Sequence, residues 1–150
     1  MLRDVPHRYP QLDLDAQLCF PLYAATRAVT RRYGGLLAEV DLTYPQYLTL
    51  LALWDADEPL AVGALGERLR LDSGTLTPLL KRLESAGLVV RRRDARDERR
   101  VLIELTDEGW ALRERVAHVP EELFASLAFS PNEAQELRRL LAKVIASVDG

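Results

Sequence analysis

A single thiol, Cys19, stands among 150 residues. One cysteine excludes an intrachain disulfide and any cysteine-rich metal site. What remains is the chemistry of a lone thiolate, which is nucleophilic attack or oxidation. A cysteine in an apolar helix is ordinarily a small buried hydrophobe, but two features set this one apart. It falls near the start of a predicted helix, where the backbone dipole favours the thiolate. It also stands one helical turn before Tyr23 and upstream of Tyr33 and Tyr44, and phenolic hydroxyls can hydrogen-bond a thiolate or a sulfenate. The commoner fate of such tyrosines is core packing. The two histidines, His7 and His118, form no recognisable Cys/His arrangement, and no cluster has metal-ligand spacing. With no resolving cysteine to complete a cycle, stoichiometric chemistry is expected rather than turnover. No enzyme and no cofactor are expected.

A second group of residues has a different chemistry. Residues 68–100 hold ten basic side chains against five acidic ones, a local balance of +5 in a chain of net charge −3, leaving −8 elsewhere. A basic segment inside an acidic chain is an electrostatic footprint for nucleic acid. Within it, Leu76, Leu79, Leu80 and Leu83 recur at helical spacing and turn one face inward. Ser73, Thr75, Thr77, Lys81 and Arg82 are left outward, a surface of hydroxyls and cations suited to phosphates and base edges. Arg93, Arg96, Arg99 and Arg100, in and beside the charged stretch DARDERR, are placed to reach into a minor groove. Asp94, Asp97 and Glu98 cannot face phosphates, and Asp97 is expected to pair with a neighbouring arginine.

These residues need elements to position them. Composition is that of a soluble globular domain: 48% apolar, 29% charged. No apolar run reaches the roughly 18 residues of a membrane span, and the first residues lack the apolar core of a signal peptide, so the expected location is cytoplasmic. The pattern predicts six helices and one two-stranded hairpin. A long helix with one buried face is expected from about Leu12 to Val40, kinked or split by Pro21 and Gly34-Gly35. A core helix follows over about 46–54. Two short helices, about 62–69 and 73–86, are joined by Arg70-Leu71-Asp72 as a helix-turn-helix, and Gly87 stops the second. Leu88–Val90 and Val101–Ile103 flank the charged tip. Thr106 caps a helix towards Phe124, and Ser130-Pro131-Asn132-Glu133 opens a last helix as a capping box.

The stretch LDSGTLTPLLKRLESAGLVVRRRDARDERRVLIELTDEG resembles the recognition helix and wing of the MarR family of bacterial transcription regulators, with Asp94, Arg96, Asp97, Arg99, Leu105, Thr106 and Gly109 in its DxRDxR…LTxxG element. LCFPLYAATRAVTRRY and LTYPQYLTLLALW are similar to one subgroup, the organic-hydroperoxide-sensing repressors of OhrR type. The likeness covers about residues 12–110. It implies a mainly helical winged helix-turn-helix, with 44–106 as the DNA-binding part. Helices within 12–40 and 107–148 would join two copies into a homodimer on a palindromic operator in double-stranded DNA. By that likeness Ser73 and Thr75 read bases, Lys81 and Arg82 bind the backbone and Arg99 enters the minor groove. Cys19 would sense an organic hydroperoxide, with Tyr33 and Tyr44 supplied by the partner subunit. The resulting sulfenate would meet a small-molecule thiol, cyclise or over-oxidise. The alternative within the same fold is a repressor released by a bound phenolic or aromatic ligand, with Cys19 merely structural.

Overall fold

A computed structural model describes residues 9–149; His7 lies outside them. The long helix does not begin at Leu12. Two 3-10 turns, Pro10–Leu12 and Leu14–Ala16, precede it, each ended by an extended residue, Asp13 and Gln17. The Gln17 side-chain Nε2 donates to the backbone carbonyls of Gln11 and Asp13, satisfying locally what a helix would have used. Helix α1 (Cys19–Leu36) is then continuous. Pro21 causes no break because it occupies the first turn, whose amides have no intrahelical acceptor. Gly34 and Gly35 fall in the last turn, followed by a 3-10 turn at Ala38–Val40.

Helix α2 (Tyr44–Trp54) opens with a capping box between Thr43 and Gln46. It forms the centre of the molecule: Tyr47, Leu50 and Leu53 are buried, and the Thr49 hydroxyl donates to the Pro45 carbonyl at 2.9 Å. Strand β1 (Leu60–Ala61), helix α3 (Val62–Leu69) and helix α4 (Ser73–Ser85) follow, then strands β2 (Val89–Arg93) and β3 (Val101–Leu105). The expected two-stranded hairpin is a three-stranded antiparallel sheet in the order β1-β3-β2, because Leu60 pairs with Ile103 and Ala61 with Leu102. Val89 faces Leu105 and Arg93 faces Val101 across the wing itself.

The four leucines of α4 are all buried as the spacing predicts, and Gly87 turns the chain at φ +74°. Burying a leucine contributes roughly 1.5–3 kcal/mol, so this stripe dominates the seating of α4. Thr106 accepts from the Gly109 amide and opens helix α5 (Asp107–Val116). Gly109 admits no side chain, since a Cβ there would lie 2.1 Å from the Leu88 carbonyl oxygen. Its own carbonyl accepts the buried Trp54 indole N–H at 3.0 Å, tying α5 to α2.

The helix expected from Thr106 to Phe124 is two helices. It breaks at Ala117–His118, and α6 (Val119–Ser126) has Pro120 in its first turn. Proline has no amide to offer the carbonyl four residues back, at Val116. Helix α7 (Pro131–Val148) begins at the predicted Ser130–Glu133 capping box. Neither α1 nor α7 buries a residue in its own chain. The buried face expected along α1 holds only at its C-terminal end, where Tyr33 and Leu36 pack against the core and Leu37 is buried, while Leu18 and Leu22 are open to solvent.

Candidate nucleic-acid interface and thiol site

Asp72 caps α4 by accepting the Thr75 amide at 2.8 Å. That cap and the buried leucines fix which residues point outward. Ser73, Thr75, Thr77, Lys81 and Arg82 are all exposed, as is Pro78, which lies inside the helix and escaped the sequence reading. The signal for it was present, because a proline in a helix interior costs about 3 kcal/mol.

The wing tip is held by its acidic residues. Asp94 is buried; its carboxylate accepts the Arg96 amide at 2.9 Å and lies 3.4 Å from the Arg100 guanidinium. Asp97 accepts the Arg99 amide at 3.1 Å and pairs with the Arg99 side chain at 3.3 Å, the pairing that the sequence predicts. Arg93 donates to the Glu98 carbonyl at 2.9 Å. The Arg99 side chain is nevertheless 93% exposed. Its loop is braced while the guanidinium stays available to solvent.

A further brace joins wing and helix. Glu84 of α4 accepts the Arg91 amide at 3.3 Å and the Arg91 Nε at 2.9 Å. The Arg91 hydrogen bond holds the Glu84 carboxyl below its ordinary range. Arg92 pairs with Glu104 on β3 at 2.8 Å. Arg68 pairs with Asp55, and Arg70, in the turn between α3 and α4, pairs with Asp149 just past α7. Among the described residues, Lys81, Arg82 and Arg96 have no carboxylate partner. The local positive charge thus divides into cations that hold the scaffold and cations that stay free on its α4 and tip surfaces.

Cys19 is the first residue of α1 and is exposed. Tyr23 is one turn on, and Arg27 reaches its hydroxyl at 3.5 Å and its ring at 5.7 Å. Tyr33 and Tyr44 do come together, stacked at 3.9 Å between centroids and 8° between planes. Tyr47, which sequence reasoning assigned to the core, completes the cluster 5.8 Å from Tyr33. Burial, with the neighbouring Tyr44 and Tyr47, pushes the Tyr33 phenol far up, so it remains a hydrogen-bond donor. Burial also raises Tyr47. This pair is not near the thiol of its own chain: fourteen residues along one helix, Tyr33 lies about 21 Å from Cys19. Among the described residues no three His, Cys, Asp or Glu side chains are grouped to hold a metal, and no helix is long and apolar enough to cross a membrane.

Comparison with known proteins agrees with this architecture. Residues 31–116 match the family model described as transcriptional regulator SarA/Rot. The organic hydroperoxide resistance transcriptional regulator of Bacillus subtilis is 46% identical over 134 residues, 89% of this chain and 88% of that protein. Reduced AbfR bound to DNA, from Staphylococcus epidermidis, superposes with a TM-score of 0.76 at 35% identity, covering 93% of this chain and 97% of the other. Overoxidized AbfR bound to DNA gives 0.74 at 37% identity over 92% and 96%. The chain belongs to the MarR family of winged-helix transcription regulators, in its organic hydroperoxide resistance regulator subgroup.

Proposed function

We propose that the protein is a homodimeric repressor that binds a palindromic operator in double-stranded DNA and releases it when Cys19 reacts with an organic hydroperoxide. Ser73, Thr75 and Thr77 contact the major groove, Lys81 and Arg82 the phosphates, and Arg96 and Arg99 the flanking groove. The distance between Cys19 and its own Tyr33–Tyr44 pair carries the reading. An exposed thiol at a helix start, beside exposed Leu18, Phe20 and Leu22, has Tyr23 one turn on, while the Tyr33–Tyr44 pair of its own chain lies far along the helix. A second copy packed on the open faces of α1 and α7 supplies Tyr33 and Tyr44 to it.

In the reaction the thiolate sulfur attacks one peroxide oxygen and the O–O bond breaks. An S–O bond forms, sulfur is oxidised to the sulfenic acid, and the alkoxide leaves and takes up a proton as the alcohol. Apolar surroundings favour an organic peroxide over hydrogen peroxide. A polar sulfenate at the dimer face shifts the two reading heads out of register. A small-molecule thiol then attacks the sulfenic sulfur, so that an S–S bond replaces the S–O bond and water leaves. The AbfR structures in reduced and overoxidized forms, both on DNA, support a redox theme for this architecture.

Fluorescence anisotropy on DNA from the region upstream of its own gene tests the proposal. Cumene hydroperoxide is expected to release the wild-type protein at lower concentration than hydrogen peroxide does, and to leave Cys19→Ser bound. Release of Cys19→Ser by the peroxide, or no release of either protein, overturns the redox step and returns Cys19 to a structural role with a non-covalent ligand as the signal.

A further inference from the structure

Helix α4 carries two residues that helices disfavour, both on the side turned from the core. Gly74 and Pro78 are four residues apart and so share a face. Leu76, Leu79, Leu80 and Leu83 mark the direction of the core. At about 100° per residue, the pole opposite them falls on Gly74, Pro78 and Lys81, while Ser73 and Thr75 fall on the flanks. The Pro78 ring is exposed, so it fills no place in the core. It also removes the amide that the Gly74 carbonyl would have met. Gly74 has no side chain to stand between the helix backbone and whatever approaches this pole. Gly74 also has a local reason, since a Cβ there would lie 3.2 Å from the Asp72 carboxylate oxygen that caps the helix. Exposed Pro78 breaks a local rule with no return inside the chain and so points to the surface it faces.

Given that α4 is the DNA-reading helix, on which this inference rests, we propose that Pro78 is a base-specificity residue whose ring packs on the C5-methyl group of a thymine in the major groove. Gly74 lets the helix come close enough for that contact. A pyrrolidine ring presents only CH2 groups and neither donates nor accepts. Of the features on the major-groove edge, the thymine methyl is the one such a surface complements. Set against an amino or carbonyl group, it would strip water from a polar atom and return no hydrogen bond. Lys81, at the same pole one turn on, adds charge without specificity. The half-sites of the operator therefore each hold a thymine whose methyl is read by Pro78.

The test uses the full-length protein and a duplex that it selects from a randomised pool. Each thymine is replaced in turn by deoxyuridine, which deletes the methyl and nothing else, and affinity is read by anisotropy. One thymine per half-site is expected to weaken the wild-type protein about three- to tenfold when replaced. Pro78→Ala is expected to bind the thymine and uracil duplexes equally, with a thermal midpoint no lower than wild type because alanine suits a helix interior better. If no thymine shows the effect, or its effect persists undiminished in Pro78→Ala, the proposal is overturned while α4 remains the reading helix. If the pool yields no enriched sequence, or Lys81→Ala and Arg82→Ala leave binding unchanged, the reading of α4 itself fails and this inference fails with it.

Discussion

Between Tyr44 and Thr106, most large apolar side chains find a place inside their own chain, and several of the charged ones are tied to one another by Glu84–Arg91, Arg92–Glu104 and Asp94–Arg100. Helices α1 and α7 each carry apolar residues along one side yet have no fully buried residue, although Tyr33 and Leu36 near the end of α1 pack against the core. Leu140 and Val144 are exposed by 44% and 41%, values normal for a lysine and not for a leucine or valine in a finished core. The winged-helix part, proposed above as the reading head, has its core within one chain. The two long helices are amphipathic, and their apolar residues have the exposure of a surface.

The sharpest way to break this contrast is to put charge on the open faces. Leu140→Glu with Ile145→Glu is expected to halve the mass seen by light scattering in solution and to weaken operator binding by about a hundredfold or more, because two half-sites no longer share one reader. A variant with unchanged mass and affinity would show that these helices do not join two copies. Next in size is a matched pair of truncations. Leu80→Ala, in the head, should lose about 2–5 kcal/mol in denaturant unfolding. Leu140→Ala, measured at protein concentrations low enough to separate the copies, should lose under about 1 kcal/mol. Equal losses would remove the distinction.

The smallest expected effect lies in the brace between helix and wing. The Glu84 carboxyl is lowered in the folded chain by its hydrogen bonds to Arg91, so its contribution is fully present above the ordinary glutamate value of 4.5 and disappears as pH falls through the lower folded value. Glu84→Gln should flatten the acid limb of the stability curve in that window and leave neutral pH nearly unchanged. Stability that falls with equal slope in both proteins would show that the pair contributes nothing measurable.

The same contrast explains what could be read from the residues alone. The α4 leucines, Gly87, the Thr106 cap and the Ser130–Glu133 box act over three or four residues, and the sequence states them openly. Strand β1 was missed because two residues have no periodicity; only its pairing with Ile103 and Leu102 makes it a strand. The α5–α6 break was missed although Pro120 announced it, since the apolar spacing continues across it. The start of α1 was misplaced because Leu12, Leu14 and Leu18 keep a helical rhythm while Asp13 and Gln17 are extended. The candidate site shows the same division. The outward residues of α4 and the Asp97–Arg99 pair were legible, being local. The stacking of Tyr33 on Tyr44 was not, because it depends on how the 3-10 turn at Ala38–Val40 folds α2 back on α1.

The pairing of Arg70 with Asp149 has a mechanical side. It moors the turn of the reading head to the far end of α7, a rod of eighteen residues and about 27 Å. A rod of that length converts a tilt of about 5° near Ser130 into roughly 2.4 Å of travel at its tip, most of a base-pair step along the DNA axis. The joint is an exposed ion pair, which in water is worth little. Such a joint tethers the turn to the tip of α7 without clamping it, a mooring line rather than a weld.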